Sequence, residues 1–320
     1  MLCPVCASSD IASRKGYRSR EFQLFACGNC GLHFIYPLPS TEELAHYYSD
    51  VYQVSSACIG EGDKPLHCDT ELVAGIIKEL YPEASKVCEV GCAQGYLLFG
   101  LKEKGFDVKG FELSEETSSC ARKELGLDVE TGGIPADLGA RFDVVIERHV
   151  IEHTLDPGEE LRRINKALRP RGLAIFVVPN FKSLASRICS SGWEWFDPPA
   201  HLYYFDRQSM AHLLYANGFA VEKSFTHRGD AVDTYLALIQ SLPLLMIRRR
   251  KKAGFWKIGE AGTEPGLVIK LGKRLLAMAS LVTEPVYKLT CPLFFWLSRS
   301  GLGEELWCIA RKNSNVKWNG

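Results

Sequence analysis

The stretch Val87-Cys-Glu-Val-Gly-Cys-Ala-Gln-Gly95 runs from a short apolar segment into a turn that contains two glycines. A helix is predicted to begin near Tyr96, and the next apolar run, from Val108, ends on the carboxylate of Glu112. Glycine allows the backbone to bend sharply and to come close to a ligand. In nucleotide-binding α/β folds, an acid at the tip of the second strand binds the ribose hydroxyls. The pattern therefore predicts a nucleoside pocket between the turn and Glu112.

Two common phosphate-binding loops do not fit this turn. The dinucleotide fingerprint Gly-x-Gly-x-x-Gly needs glycine where Ala93 and Tyr96 stand. A Walker loop needs Gly-Lys-Ser/Thr, but Gly95 is followed by Tyr96 and Leu97. A nucleoside without phosphates is the better fit, and the alternative is an ordinary strand-to-helix turn that binds nothing.

The same residues resemble the class I S-adenosylmethionine-dependent methyltransferases. Glu89, Gly91 and Gly95 match the family's first motif, acid-x-Gly-x-x-x-Gly, and Glu112 matches its ribose-binding acid. The resemblance covers roughly residues 75–227 and the final strand at 306–311. It implies S-adenosylmethionine as cofactor and an enzyme that transfers the methyl group in line to an acceptor. It also implies the following cofactor-binding residues: Glu89, Gly91, Cys92, Gln94, Gly95, Glu112, Leu113, Gly133, Ile134, Glu147 and Arg148.

The surrounding segments predict an α/β fold. Apart from Asp143, residues 142–146 and 173–178 are apolar, as expected for parallel strands that are covered on both faces. Between them, Leu161, Ile164 and Leu168 recur at helical spacing. With the resemblance, this predicts a doubly wound, mostly parallel seven-stranded sheet of the Rossmann-like methyltransferase type, preceded by a zinc ribbon and interrupted by a helical insertion before its last strand.

Two Cys-x-x-Cys pairs near the N-terminus predict a zinc site. Cys3 and Cys6 form the first pair, and Cys27 and Cys30 form the second. This spacing is typical of a closed, structural four-thiolate zinc site, and a pair of disulfides is the alternative. The segment is similar to the zinc ribbon that precedes some bacterial methyltransferases of sugar and polysaccharide biosynthesis.

Composition and patterning divide the chain into five parts. The predicted parts are a zinc ribbon at 1–40, a helical connector and lid at 41–69, the cofactor-binding domain at 70–227, a helical insertion at 228–304, and the last strand and tail at 305–320. Within the connector, Ser40-Thr-Glu-Glu43 has the pattern of a capping box, which predicts a helix start there.

The overall charge favours no nucleic-acid partner. The 320 residues contain 38 Lys+Arg and 38 Asp+Glu, so the chain has no net charge to attract phosphate.

The first residues do not form a secretion signal, which predicts a cytoplasmic location. Two alternatives remain open. One is an RNA-modifying or RNA-binding protein that uses basic residues of the ribbon, and the other is a cofactor-binding scaffold without catalysis.

The predicted insertion contains apolar runs beside basic residues. Residues 235–247 are largely apolar, and Arg248-Arg-Arg-Lys-Lys252 follows directly. Apolar faces beside basic clusters are typical of segments that lie on a membrane surface. This predicts peripheral contact of residues 236–297 with the inner face of the membrane, where a sugar-containing or lipid-linked small-molecule acceptor is reached. A helical cap or a dimer interface is the alternative, and no oligomeric state is predicted.

The chemistry at the acceptor depends on histidines near the ends of the fourth and fifth strands. His149 and His201 are the candidate general bases, because an oxygen or carbon acceptor must lose a proton. His153 shares a face with His149 if a helix begins there, and a structural role is its alternative. The aromatic residues Trp193, Trp195, Tyr203 and Tyr204 are predicted either to line an acceptor pocket or to belong to the core. The sequence leaves oxygen, carbon and nitrogen open as the methylated atom.

Overall fold

The computed structural model describes residues 1–18, 22–50, 69–227 and 298–313. The chain divides into two compact units, the first comprising Met1–Phe181, Asp197–Phe225 and Glu305–Gly320 and the second comprising Lys182–Phe196 and Thr226–Glu304. The ribbon and the cofactor-binding sheet therefore belong to one unit, although the sequence predicts them as separate parts. The lid at 51–68 and the membrane segment at 236–297 lie outside the described residues.

Eleven strands and seven α-helices are described. The strands are β1 (Ile11–Arg18), β2 (Gln23–Cys27), β3 (His33–Tyr36), β4 (Lys86–Val90), β5 (Asp107–Glu112), β6 (Val129–Thr131), β7 (Phe142–Arg148), β8 (Leu168–Pro179), β9 (Tyr203–Tyr204), β10 (Phe219–His227) and β11 (Glu305–Lys312). The helices are α1 (Thr41–Asp50), α2 (Thr70–Leu80), α3 (Tyr96–Glu103), α4 (Glu115–Leu125), α5 (Pro157–Ala167), α6 (Leu184–Cys189) and α7 (Arg207–Ala216).

Seven strands form one sheet in the order β10-β11-β8-β7-β4-β5-β6. Strands β6, β5, β4, β7 and β8 pair in parallel, and β11 pairs antiparallel to β8, with Ile309 opposite Ile175. The prediction of a doubly wound, mostly parallel seven-stranded sheet is confirmed. Such a sheet exposes the carboxyl ends of β4, β5 and β7 along one edge, where ligands bind in open α/β folds.

The sheet is held by an apolar core and by one buried carboxylate. Val87, Val144, Ile175 and Trp307 are fully buried on neighbouring strands. Asp143 accepts hydrogen bonds from the backbone N–H groups of Ser85 and Lys86 at 3.0 and 2.9 Å and pairs with Arg169 at 2.7 Å. Because these contacts join the starts of β4 and β7, they fix the register from which the site at the opposite ends is built.

Two helix predictions can be compared with the structure. The capping box at Ser40 is confirmed, since Ser40 N–H donates to Glu43 at 2.7 Å and Glu43 N–H donates to Ser40 Oγ at 3.1 Å. No α-helix begins at His149, so the condition under which His149 and His153 would share a helix face is not met. The chain forms only a short 3₁₀ turn at Ile151–His153, and α5 begins at Pro157, where Asp156 caps it.

The N-terminal strands form a second sheet that includes a distant segment. Its order is β1-β2-β3-β9, and His33 and Phe34 of β3 pair with Tyr204 and Tyr203 of β9. Tyr203 and Tyr204 are each 1% exposed, which favours the core alternative for them. Trp193, in the second unit, is also fully buried.

No helix among the residues that the structure describes is long and apolar enough to cross a bilayer.

Candidate functional site

The turn after β4 has a left-handed backbone conformation that favours glycine. Gly91 and Gly95 have φ angles of 68° and 80°. A Cβ on Gly91 would lie 2.3 Å from Val150 Cγ2, and a Cβ on Gly95 would lie 2.5 Å from Leu127 Cδ1. Both contacts are shorter than real Cβ contacts, so both predicted glycines are required by space as well as by conformation. The turn leads directly into the N-terminus of α3.

Glu112 closes the other side of this turn. Its Oε2 accepts the backbone N–H of Ala93 at 2.9 Å, and its Oε1 accepts the N–H of Ser114 at 2.9 Å. A carboxylate offers about four acceptor positions, so each oxygen keeps one for a ligand. Leu113 beside it is 79% exposed and offers an apolar face. The acid is therefore held rigidly at the tip of β5 with capacity for two more hydrogen bonds.

The backbone after β6 completes this side of the site. Gly132 N–H donates to the carbonyl of Glu112 at 2.8 Å. A Cβ on Gly133 would meet no atom within 4 Å, whereas the side chain of Ile134 is fully buried. Open space therefore lies beside the backbone at Gly133, one of the predicted cofactor-binding residues.

Glu89, the acid of the first motif, is buried under the turn. Its side chain is 4% exposed, and Oε2 has no hydrogen-bond partner within the described ranges. Burial raises the pKa of Glu89 to about 8; the Arg148 charge lowers this pKa, and the Glu112 charge raises it. An unsatisfied buried carboxyl is costly. The site is therefore suited to a ligand that brings a donor or a positive charge to Glu89.

Four further predicted residues, Glu147, Arg148, Cys92 and Gln94, have other surroundings. Glu147 is 1% exposed, its oxygens lack hydrogen-bond partners among the described residues, and burial raises its pKa well above the usual value. Arg148 Nη2 forms a 2.6 Å ion pair with Asp69. Cys92 is also buried, and its N–H donates to the carbonyl of Phe111 at 3.2 Å. Gln94 lies in the turn and is partly exposed.

His149 lies just past the end of β7 between two carboxylates. It has a φ of 54°, its Nε2 lies 3.1 Å from Glu305 Oε1, and its Nδ1 lies 3.4 Å from Glu152 Oε1. Burial alone would lower the pKa of His149, but the hydrogen bonds and charges of Glu152 and Glu305 raise it to about 9. Both ring nitrogens face carboxylates, an arrangement that fixes the imidazole in place.

The other two predicted histidines also lie close to Glu152. His153 Nε2 is 3.9 Å from Glu152 Oε1, and the rings of His153 and His201 have centroids 4.6 Å apart in an edge-to-face arrangement. Burial lowers the pKa of His153 to about 4. All three predicted histidines are thus brought together around one buried carboxylate. The cluster stands at the end of β7, next to the turn that follows β4.

The sequence of this region agrees with the geometry. Residues 67–224 match a family model described as a methyltransferase domain. This part of the chain belongs to the class I S-adenosylmethionine-dependent methyltransferases.

Relatives of the methyltransferase domain cover only part of the chain. The "Ubiquinone biosynthesis O-methyltransferase" of Caulobacter sp. (strain K31) is 31% identical over 131 residues, which are 37% of this chain and 52% of the relative. The protein of the same name from Pseudomonas entomophila (strain L48) is 31% identical over 141 residues, covering 41% of this chain and 61% of the relative. The chain therefore spans about half to three fifths of the length of these relatives.

A solved structure is also similar to the chain. The putative sarcosine dimethylglycine methyltransferase from Galdieria sulphuraria aligns with a TM-score of 0.48 at 12% identity, covering 77% of this chain and 86% of that one. A likeness of this extent adds nothing to the strand order given above.

Two acids of the methyltransferase domain were missed by the sequence reasoning. Glu305, at the start of β11, contacts His149 from 156 residues away. Asp69, just before α2, pairs with Arg148. Neither acid lies in a motif, and each partner is remote in sequence, so no local signal marked them.

The four N-terminal cysteines converge as their spacing predicts. The Sγ atoms of Cys3 and Cys30 are 3.6 Å apart and those of Cys6 and Cys27 are 3.5 Å apart, and all four lie within 4.8 Å of one another. None of the four is in a disulfide. A tetrahedral site with Zn–S distances of about 2.3 Å needs sulfurs about 3.8 Å apart, so the four thiols fit a zinc ion.

Proposed function

We propose that the chain transfers a methyl group from S-adenosylmethionine to a hydroxyl group of a small-molecule acceptor. The observation that carries the proposal is the cradle formed by the Gly91–Gly95 turn and the rigidly held Glu112, with the histidine cluster at the adjacent strand end. The match of residues 67–224 to a methyltransferase domain supports it. The relatives are named as O-methyltransferases, which favours oxygen as the accepting atom.

The cradle residues fit S-adenosylmethionine part by part. The two unfilled acceptor positions of Glu112 suit the two ribose hydroxyls, the exposed face of Leu113 suits the adenine, and the backbone at Gly133 borders the same space. The unsatisfied Oε2 of Glu89 suits the positively charged methionine end. When bound, S-adenosylmethionine supplies an electrophilic methyl group on a positively charged sulfur.

We propose that the acceptor binds at the histidine cluster. Because ligands of open α/β sheets bind beyond the carboxyl ends of the strands, an acceptor beside the cradle meets the end of β7. His201 is our proposed acceptor-facing residue. The contacts of His149 with Glu305 and Glu152 support a positioning role for that ring. Holding two reactants in attack geometry contributes on the order of 7–11 kcal/mol.

Two measurements test the proposed function. Calorimetry on the full chain should detect binding of S-adenosylmethionine and of S-adenosylhomocysteine. Transfer of a labelled methyl group into cell extracts, fractionated as lipid, sugar and RNA, should then place the label in the lipid or sugar fraction, since a sugar-containing or lipid-linked acceptor is proposed. Label confined to RNA would contradict the small-molecule acceptor, and absence of binding would contradict the enzyme.

The buried carboxyl of Glu89 should make cofactor affinity depend on pH. Its pKa of about 8 means that it is protonated at pH 7 and ionised at pH 9 in the free protein. An ionised Glu89 attracts the positively charged cofactor, so affinity should rise between pH 7 and 9, by at most about tenfold per pH unit for one released proton. The charges that face this carboxyl are those of Arg148, which lowers its pKa, and Glu112, which raises it.

Glu89→Gln provides the control for this pH dependence. The cofactor's own amino group titrates near the same range, so the informative quantity is the difference between the two proteins. Calorimetric titrations with S-adenosylmethionine at half-unit steps should show the steeper rise only in the wild type. Parallel curves would contradict a role for Glu89 ionisation.

We also propose that Cys3, Cys6, Cys27 and Cys30 bind a structural zinc ion. Cys6→Ser should lower the zinc content by one ion per chain, measured by mass spectrometry of the purified full chain, because a serine hydroxyl is a poor substitute for a thiolate ligand. Proteolysis should then cut faster within β1 to β3, since metal binding and folding of such a unit are coupled. Cys189→Ser, outside the cluster, should keep the zinc. An unchanged zinc content in Cys6→Ser would contradict the site.

A further inference from the structure

Glu152, His153 and His201 bring one carboxylate and two imidazoles to a single point. One ligand atom from each residue lies within 4.8 Å of the others. Glu152 is fully buried and His201 is 6% exposed. A cation with ligand distances of about 2.0–2.2 Å in tetrahedral geometry needs ligand atoms about 3.4 Å apart. Side-chain rotations that move each atom by about an ångström would therefore complete a site.

The carboxylate of Glu152 has to share the imidazole of His149 with a second carboxylate, that of Glu305. Neither of its oxygens makes a hydrogen bond of good geometry in the part of the chain that the structure describes. The nearest ring nitrogens, those of His149 and His153, lie 3.4 and 3.9 Å away. Leaving a buried charged group unsatisfied costs several kcal/mol. Natural structures resolve such a cost by pairing the charge or by binding a metal ion.

The hydrogen bonds around the histidines favour metal ligation. His153 Nδ1 lies 3.0 Å from the carbonyl oxygen of Ala200, and since a carbonyl only accepts, this nitrogen carries the proton. The tautomer leaves the lone pair on Nε2, the nitrogen directed toward Glu152. A histidine that ligates a metal typically donates its other N–H to a backbone carbonyl or a carboxylate in this way.

The backbone also fixes the three ligands relative to one another. Leu202 N–H donates to the carbonyl of Glu152 at 2.8 Å, which ties the segment carrying His201 to the turn carrying Glu152 and His153. His149, which also lies beside Glu152, is anchored by Glu305 at 3.1 Å. The ligand set is thus built from two distant segments that are joined by main-chain contacts.

We propose that Glu152, His153 and His201 bind a divalent transition-metal ion. Imidazole and carboxylate ligands suit Zn²⁺, Fe²⁺ or Mn²⁺, and three protein ligands leave at least one coordination position open. If the proposed methyl transfer is correct, on which this part of the inference rests, the open position takes an oxygen of the acceptor. A metal-bound hydroxyl loses its proton more readily, so the acceptor class would be one with a hydroxyl that can ligate the metal.

Zinc counting on the full chain tests the site. Wild type, His153→Ala/His201→Ala, Glu152→Gln and His212→Ala would be equilibrated with the same buffered Zn²⁺ and analysed by mass spectrometry. The wild type and His212→Ala, which changes an exposed histidine of α7, should hold one more zinc ion per chain than the double variant. Any zinc in the cysteine site is common to all four proteins, so it cancels in the difference. Glu152→Gln, which preserves shape, should weaken zinc binding at least tenfold.

The outcomes separate this inference from the proposed function. Equal zinc in the wild type and both cluster variants overturns the metal site, even if S-adenosylmethionine binds and methyl transfer proceeds. Extra zinc in the wild type without cofactor binding supports the metal site and overturns the methyltransferase proposal. If the double variant fails to fold, Glu152→Gln alone decides, with its fold checked by thermal melting.

Discussion

Glu112→Ala should lower the affinity for S-adenosylmethionine by roughly 10²–10⁴-fold. Hydrogen bonds to a charged group contribute about 1.5–3 kcal/mol each, and two ribose hydroxyls are proposed to use the two remaining acceptor positions of this carboxylate. The substitution also removes the partner of the Ala93 and Ser114 N–H groups, so the turn loses its tie to β5. Calorimetry with S-adenosylmethionine and with S-adenosylhomocysteine should show the same loss, since both carry the ribose.

A control on the next helix isolates the effect of Glu112. Glu116 is an exposed acid in the first turn of α4, and Glu116→Ala removes the same charge a short distance away. Its affinity for both compounds should stay within about twofold of wild type, as expected for an exposed surface change. Glu112→Gln keeps one acceptor oxygen and should fall between wild type and alanine. Unchanged affinity in a well-folded Glu112→Ala protein would mean that the ligand's sugar lies elsewhere.

The cradle was predictable because its signals are local. Two glycines in a five-residue span, an apolar run before them and an acid at the end of the next run all lie between residues 87 and 112. The structure adds the reason for the glycines, since Val150 and Leu127 fill the space that a side chain would need. That reason depends on residues up to 59 positions away, and it could not be read from the motif.

The contacts that build the histidine cluster have no such local signal. The sequence placed His149, His153 and His201 near strand ends, with Glu152 between the first two along the chain. It did not indicate that Glu152 and Glu305 would both contact His149. These pairings arise because β11 returns beside β8 and brings its first residue to the end of β7. Only the strand order of the sheet determines this neighbourhood.

The N-terminal ribbon also makes contacts that no local sequence pattern predicts. The cysteine spacing predicts that four sulfurs converge, and they do. The pairing of β3 with β9 joins the ribbon to a segment about 170 residues away, and a two-residue strand has no periodicity that predicts such a partner. The cysteine spacing therefore gives no sign of the sheet that the ribbon shares with the segment after His201.

His201→Ala should slow methyl transfer by roughly 10²–10⁴-fold while leaving S-adenosylmethionine affinity within about twofold. Proton removal assisted by a positioned side chain contributes on that order, and His201 is the proposed acceptor-facing residue. The change spares the backbone hydrogen bond from His201 N–H to the carbonyl of Asp197 at 2.9 Å, so the segment should keep its path. The measurement is the initial rate of labelled methyl incorporation into the acceptor-containing extract fraction.

The comparison with His212→Ala makes this result specific. Both substitutions remove an imidazole, but His212 is exposed on α7 and lies outside the cluster; its variant should transfer methyl groups at the wild-type rate. If the His201 side chain removes the acceptor proton directly, the fall in methyl-transfer rate in His201→Ala should not depend on added Zn²⁺. If His201 acts by binding a cation, high Zn²⁺ should restore part of the rate, because Glu152 and His153 remain to hold the ion. A wild-type rate in His201→Ala would remove the cluster from the chemistry altogether, and the acceptor would then have to bind on a surface that does not include the end of β7.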